Sequence, residues 1–425
     1  MTTGTVRRLL PLYVVVFVGF VGYSLMITVF TPLLLTDNGG ILPASASHAQ
    51  RSLLLGVLLS VYPLGQFLGA PVLGALSDRW GRRPVLIATL TVATAVYVSV
   101  GAALLISNLV LLVICTFVGG LFEANISIAQ SSLADVTSSA DRSRLFGYVY
   151  LSSSLAYVVG PLVGGPLADD QVVSWFTPAT PFFAVAVLLA LTLGAVARWL
   201  PETHRPTAAG RPRSNVGTLT AAFTERRFRR IYLTNVLFYL AIFGFFRVYP
   251  LYLVDRFALG VTRESEFIAW VAVPIVVANL WLLRSLLRRF TAHALIVAAG
   301  TLTGVAMIVV PLPGILNLLW VTLGLTALGL AIVLPLCAST LSEAAGADEQ
   351  GHVLGANQSL QVGAEAVSGL AGGALAAVVS ALPLLVFGGI ALVASTLAST
   401  RPRNGRTHAR ATPRLPWWHR PRSGI

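Results

Sequence analysis

The chain has 425 residues, 56% of them hydrophobic and only 11% charged, whereas a soluble domain carries roughly a quarter charged residues; a soluble globule of this length is excluded. The net charge of +13 comes from 29 basic residues, all Arg, against 16 acidic ones. These arginines fall between apolar stretches, in the pattern that sets membrane topology, so nucleic acid is not an expected partner.

Twelve apolar stretches of about twenty residues, the length that crosses a bilayer core, follow one another at about 9–35, 52–76, 84–106, 109–134, 145–168, 179–200, 229–254, 265–287, 291–311, 314–341, 353–378 and 381–398. Strands of about ten residues do not fit them, so each is expected to be a helix. The first is too long, and too much part of the pattern, to be a cleaved signal peptide. An even number of spans puts both termini on one side. That side collects Arg7, Arg8, Arg79, Arg82, Arg83, Arg142, Arg144, the group from Arg198 to Arg230, Arg284, Arg288, Arg289 and the tail from Arg401, while the other has Arg51, Arg256 and Arg263. The positive-inside rule then places both termini in the cytoplasm of a bacterial-type inner (plasma) membrane. Cys115 and Cys337 both lie inside spans, which offers neither a disulfide framework nor a metal motif. No phosphate loop and no Ser/His/Asp arrangement occurs, so neither an enzyme nor a cofactor is expected.

The chain also repeats. A shift of 208 residues lays Ser132–Ala168 on Thr340–Ala376 without a gap, matching Asp135 with Glu343, Asp141 with Glu349, Gly147 with Gly355 and Gly164-Gly165 with Gly372-Gly373. A shift of 218 pairs Pro32–Asp37 with Pro250–Asp255. The expected fold is therefore an all-α integral membrane protein with 12 transmembrane helices in two pseudo-symmetric six-helix halves. Residues 1–200 and 229–398 would be the halves, 201–228 a polar cytoplasmic central loop, and 399–425 a basic tail. Two parallel halves about a membrane-normal axis describe a secondary transporter with its site near mid-bilayer, and a monomer suffices for that. In the tail, Trp417-Trp418 and the arginines either rest on anionic lipid or are simply solvated.

Three motifs carry a resemblance. "GALSDRWGRRPVL" (Gly74–Leu86) resembles, position for position, the loop signature of the major facilitator superfamily. Gly147, Ala156 and then Gly160-Pro161-Leu162-Val163-Gly164-Gly165 resemble its antiporter motif, with Ala156 where Gly is usual. "LPETH" (Leu200–His204) is similar to the tetracycline-type drug–proton antiporters. The resemblance implies proton-coupled efflux of a small amphiphilic compound by alternating access. In this scheme Gly74, Asp78, Arg79, Gly81, Arg82 and Arg83 form a cytoplasmic latch, with Asp78 meeting the Arg cluster and the positive N-terminus of span 11, a contact that breaks when the cavity opens inward. The aligned Leu282–Leu295 lacks the Asp, which makes any latch asymmetric. Gly147, Gly160, Pro161, Gly164 and Gly165 would give a tight, kinked contact between spans 5 and 8. An alternative is an exporter or exchanger of an organic anion or metallophore, with Arg247 as its counter-ion. A sensor or assembly partner without flux is a third class, and the intact loop signature argues against it.

Ionisable residues inside spans are costly and mark function. Glu123 lies twelve residues before Asp135, roughly 18 Å deep at 1.5 Å per residue, with Ser127 and Gln130 on its face. A carboxylate withdrawn from water there is suited to bind and release a proton. Glu365 in span 11 shares a face with Gln361 and Asn357 and is a second proton-coupling candidate. Arg247 in span 7 has Glu123, Glu365 or an anionic substrate group as possible partners. Tyr23, Tyr62, Tyr157, Tyr239 and Phe243, with Ser127 and Gln361, are candidate cavity residues for an amphiphile. The expected partners are thus a small-molecule substrate, protons and the lipid bilayer. Two departures from the tetracycline-type pattern stand out: span 1 (Val14–Phe30) has no Asp, and Thr116 stands nineteen residues before Asp135 where an Arg is usual. If coupling exists, Glu123, Glu365 and Arg247 must carry it.

Overall fold

Long apolar runs in lipid leave the backbone no water to bond, so the chain satisfies its amides internally as helices. The structure, a computed structural model, describes residues 3–36, 41–136, 139–203, 226–345 and 350–400. Most of the central loop (204–225), the tail (401–425), Asp37 and Glu349 lie outside those residues. The first half contains α1 (Thr3–Leu35), α2 (His48–Trp80), α3 (Arg82–Leu105), α4 (Leu109–Leu121), α5 (Ala124–Asp135), α6 (Ser139–Leu167) and α7 (Thr180–Trp199). The second contains α8 (Arg226–Phe257), α9 (Val261–Val277), α10 (Leu283–Leu287), α11 (Ala292–Val309), α12 (Leu316–Ala344), α13 (Gln350–Ala376) and α14 (Leu382–Ser399). Helices α4 and α5 together form the fourth span; α9, a π-helical turn at Ala278–Leu282 and α10 form the eighth.

The two halves repeat in space as in sequence. Contacts of α1 with α6 and α7, of α2 with α4, and of α3 with α7 are answered by α8 with α13 and α14, α9 with α12, and α11 with α14. Between the halves, α2 packs along α13 and α6 along α9, each the pseudo-symmetric mate of the other.

Glycines set how closely these helices approach. A Cβ on Gly56 would come within 2.8 Å of the Gly373 Cα, and one on Gly165 would strike the Ser265 hydroxyl. Gly165 and Gly373 are the repeat-related pair, so both copies of the motif form the seam between halves. Gly160 and Gly164 instead pack on Ser24 and Leu25 of α1, inside the first half; Pro161 is buried within α6, and Gly147 lies in α6 as well.

The seam opens in one direction only. Along α2 and α13, backbone contact at Gly56 and Gly373 widens to ordinary contact at Gly363 and Phe67, where a Cβ would lie 3.7 Å away. At Gly74 and Gly355 nothing is within 4 Å. The halves are thus joined at the far end, which carries the loop before α2, and part toward the end bearing the termini. A His48–Asp255 ion pair at 3.1 Å also spans the halves at the far end. Beside it buried Arg51 donates to the carbonyls of Leu34, Thr36, Pro43 and Ala46.

At the opposite end the loop signature folds onto its own half. Gly81 holds φ at 101°, a region L-residues avoid. The next two backbone amides, of Arg82 and Arg83, donate to the Glu202 carboxylate at 2.9 and 3.1 Å. Glu202, from the "LPETH" stretch, thereby caps the N-terminus of α3 with negative charge. Arg82 bridges Asp78 at 2.6 Å and Asp135 at 3.0 Å, and Arg83 donates to the Ala197 carbonyl. Arg79 is exposed. In this conformation Asp78 is tied to Arg82, within the arginine cluster, and the N-terminus of α3 receives the Glu202 carboxylate; residues 346–349, just before span 11, lie outside those described.

Most helices run a few residues beyond the stretches read from sequence, and two differences bear on the site. The fourth span is broken at Phe122–Glu123, where the Glu123 amide bonds the Gly120 carbonyl at 3.1 Å. Gly65, Gly69 and Gly120 bring α2 and α4 into backbone contact at this level, and Gly119-Gly120 holds the helix weakly. The eighth span starts at Val261 and not at 265. Replacing Gly81 by Ala forces φ > 0 on a Cβ that also meets Glu202, at a cost of about 1–2 kcal/mol. The expected result is a lower thermal unfolding midpoint in detergent, with Gly74→Ala, which meets open space, at or above wild type.

Candidate functional site

An arginine in the middle of a membrane span must find partners among side chains and carbonyls, because lipid supplies none. Arg247 of α8, only 3% exposed, finds them in both halves. Its guanidinium meets Glu365 Oε2 of α13 at 3.1 Å and donates to the Tyr23 hydroxyl of α1 and to the Leu59 carbonyl of α2. The Tyr23 hydroxyl donates in turn to Glu365 Oε2 at 3.1 Å, and the guanidinium lies 5.8 Å from the Tyr23 ring centre. Glu365, 8% exposed, takes a further contact from Gln361 Nε2 on Oε1 at 3.4 Å. The cluster is a charge-neutral joint in which α8 and α13 provide the ions, and α1 and α2 the neutral polar partners.

The polar face of α13 continues toward the termini end. Asn357 donates to the Tyr239 hydroxyl at 2.6 Å and accepts from Asn235 at 2.9 Å. Tyr239 and Gln361 are therefore part of this hydrogen-bonded stripe, whereas the cavity lies to its side. That cavity, about 240 Å³, runs between the halves and is lined by Tyr23, Ser24, Ser153, Ser154 and Tyr157 of the first half. Phe243, Phe246, Arg247, Tyr249, Ile268, Val271, Ala272, Ile275 and Leu334 line it from the second. Its wall is apolar and aromatic with a few hydroxyls and one neutralised charge, which suits an amphiphilic guest.

Glu123 occupies the break in the fourth span and is 6% exposed. It faces Tyr62 and Tyr97, yet neither its Oε1 nor the Tyr62 hydroxyl meets a partner at hydrogen-bonding geometry among the described residues. Tyr62 also packs on Tyr23, ring centres 5.3 Å apart. Glu123, Tyr62, Tyr23 and Glu365 thus form a continuous series that crosses from one half to the other beside the cavity. Ser127, on α5, is exposed and does not line the cavity.

Residues 12–367 match the family model described as Major Facilitator Superfamily. The chain belongs to that superfamily. It is similar to the class B tetracycline resistance protein of Escherichia coli, with 29% identity over 264 residues, 59% of each chain. Against the class C protein of Escherichia coli identity is 40% over 152 residues, 35% of this chain and 36% of that one. The chain thus spans between about a third and three-fifths of the length of these relatives. Among solved structures, the D-xylose–proton symporter superposes with a TM-score of 0.73 at 15% identity, covering 94% of this chain and 98% of that one, a likeness of fold.

Several contacts within this superfamily member escaped the sequence reading. Nothing in the local sequence distinguishes the Leu59 carbonyl as an acceptor for Arg247, and Tyr23, singled out as a cavity aromatic, gives no sign of its bond to the guanidinium. The small residues Gly119-Gly120 before Glu123 were the available signal for the helix break. Removing one ion of the Arg247–Glu365 pair strands the other in the membrane, at about 3–5 kcal/mol. Arg247→Gln and Glu365→Gln singly are expected to lower the thermal midpoint and folded yield in detergent more than the double variant does.

Proposed function

We propose that this chain is a secondary transporter working by alternating access, and that it exports a small amphiphilic compound in exchange for protons. The observation that carries the reading is the Arg247–Glu365 pair, buried at the cavity wall and held from the opposite half by Tyr23 and the Leu59 carbonyl. Protonating Glu365 removes the negative member of a joint between halves, so proton binding and the relative movement of the halves become one event. Glu123, which faces Tyr62 where that ring packs on Tyr23, is the second carboxyl in this reading.

Under this reading both termini and the arginine-rich ends face the cytoplasm, and the opening beyond Gly74 and Gly355 is the inward-facing state. The likeness to tetracycline resistance proteins supports a drug-like cargo. Against the organic-anion alternative stands the occupation of Arg247 by Glu365, Tyr23 and the Leu59 carbonyl, so that an anion would have to displace Glu365 to reach it.

In an efflux-deficient bacterial host, wild type, Glu123→Gln and Glu365→Gln at equal expression are challenged with tetracycline, ethidium and norfloxacin. Everted vesicles report dissipation of the pH gradient on addition of each compound. Wild-type resistance and gradient dissipation that vanish together in a variant identify its carboxyl as a coupling site. A wild type that neither protects nor moves protons with any compound of a wider amphiphile panel sinks the proton-driven export reading.

A further inference from the structure

Glu264 has no place in the scheme above. The sequence reading starts the eighth span at 265 and leaves this residue outside the membrane, but α9 begins at Val261. Glu264 is 0% exposed, and among the described residues neither carboxylate oxygen has a hydrogen-bond partner. Burying an ionised carboxylate without a partner is among the most costly arrangements a fold can hold, and such a group is carried neutral instead.

Its position gives that proton a route. Ile268, Val271, Ala272 and Ile275 of α9 line the cavity, and Glu264 precedes Ile268 by one helical turn on the same face. The adjacent Ser265 is the residue pressed against Gly165 in the α6–α9 seam. Glu264 therefore sits in the plug between the cavity and the far end. The titratable group that faces it is Tyr249 of α8, whose hydroxyl is also buried without a partner and whose ring lines the cavity. On the other elements packed against α9, the charges lie elsewhere. Asp169 after α6 accepts from Thr262 at 2.6 Å, Arg263 pairs with Glu266 at 2.9 Å on the exposed side, and α12 carries no charged residue from Leu316 to Ser342. In α1 the neighbouring titratable group is Tyr23, held by Arg247 and Glu365. One carboxyl and one phenol supply too few oxygens for a hard cation such as calcium, which takes six or more, and among the described residues no nitrogen or sulfur ligand faces them to suit a softer metal. A proton is the ligand this site fits.

We propose that Glu264 is a further proton-binding site beside Glu365 and Glu123, loaded from the far side when the α6–α9 seam parts. When the seam closes it carries the proton as neutral acid and exchanges it with the cavity past Tyr249. Loss of that proton leaves a bare carboxylate in the plug, which water reaches only by separating α6 from α9; deprotonation therefore favours the far-end-open state. This rests on the alternating-access reading, and its test is built to fail separately from proton-driven export.

Spin labels are attached at Ser45→Cys and Gly260→Cys, on far-end loops of opposite halves, with Cys115→Ser, Cys337→Ser and His48→Gln. The last change silences the His48–Asp255 pair. Distances are read in lipid vesicles at acidic and alkaline pH with no substrate present. With Glu264 intact, the distribution is expected to lengthen as pH rises; with Glu264→Gln it stays short throughout. A Glu264→Gln protein that follows pH like its parent, or a parent that does not respond, overturns the proposal. If Glu264→Gln fails to fold, Glu264→Asp replaces it: a displaced midpoint supports the site and an unchanged one overturns it. Tetracycline-driven proton flux in pyranine-loaded vesicles is measured in parallel; its absence in wild type counts against the export reading, while the label distances judge Glu264 on their own.

Discussion

A guanidinium in the middle of a bilayer cannot be left to solvent, and much of this structure is arranged around that constraint. Arg247 belongs to the second half, but two of its partners, Tyr23 and the Leu59 carbonyl, belong to the first. The pair with Glu365 is therefore also a clamp between two bodies that otherwise meet through small residues at one end. The polar groups near it follow the same logic: Gln361 steadies the carboxylate, and buried Asn357 is satisfied by Asn235 and Tyr239. Such a joint is worth more as a device that fixes geometry than as a source of stability, since buried ion pairs repay little beyond their desolvation.

The gross architecture was legible because the bilayer imposes a length and an apolar composition on every crossing segment, and the repeat between Ser132–Ala168 and Thr340–Ala376 exposed the two halves directly. Arg247 and Glu365 were legible as charges in the wrong solvent. Their pairing was not, because sequence left Glu123 and an anionic ligand as equal partners, and only the crossing of α8 with α13 selects Glu365. Asp78 was legible in part. Its contact with the arginine cluster is present through Arg82, four residues away, while the contact to span 11 belongs to the state in which the halves are shut at that end. Glu264 was lost to a boundary error of four residues, enough to move a carboxyl from solvent to a dry interface.

The two membrane carboxyls first singled out play physically different parts. Glu365 is compensated, and a change in its charge is felt at once by the opposite half through Tyr23. Glu123 has no counter-ion among the described residues and sits buried at the helix break, facing Tyr62 and Tyr97. One carboxyl answers to a charged neighbour and the other to the phenols around it. The tyrosines between them give the two responses a common wall.

The polar stripe of α13 has a consequence for how the protein is made. Ten helices among the described residues are long and apolar enough to cross a membrane by themselves, and α13 is not among them; Asn357, Gln361 and Glu365 are the reason. A segment of this kind leaves the translocon favourably only when an already inserted neighbour offers partners for its amides and its acid. In this chain those neighbours, α1, α2 and α8, are synthesised earlier. The residues that complete the site thus also act as an insertion receptor for it, and sequence changes at Tyr23, Asn235 or Arg247 would be felt first in biogenesis, as missing protein, before any effect on turnover is seen.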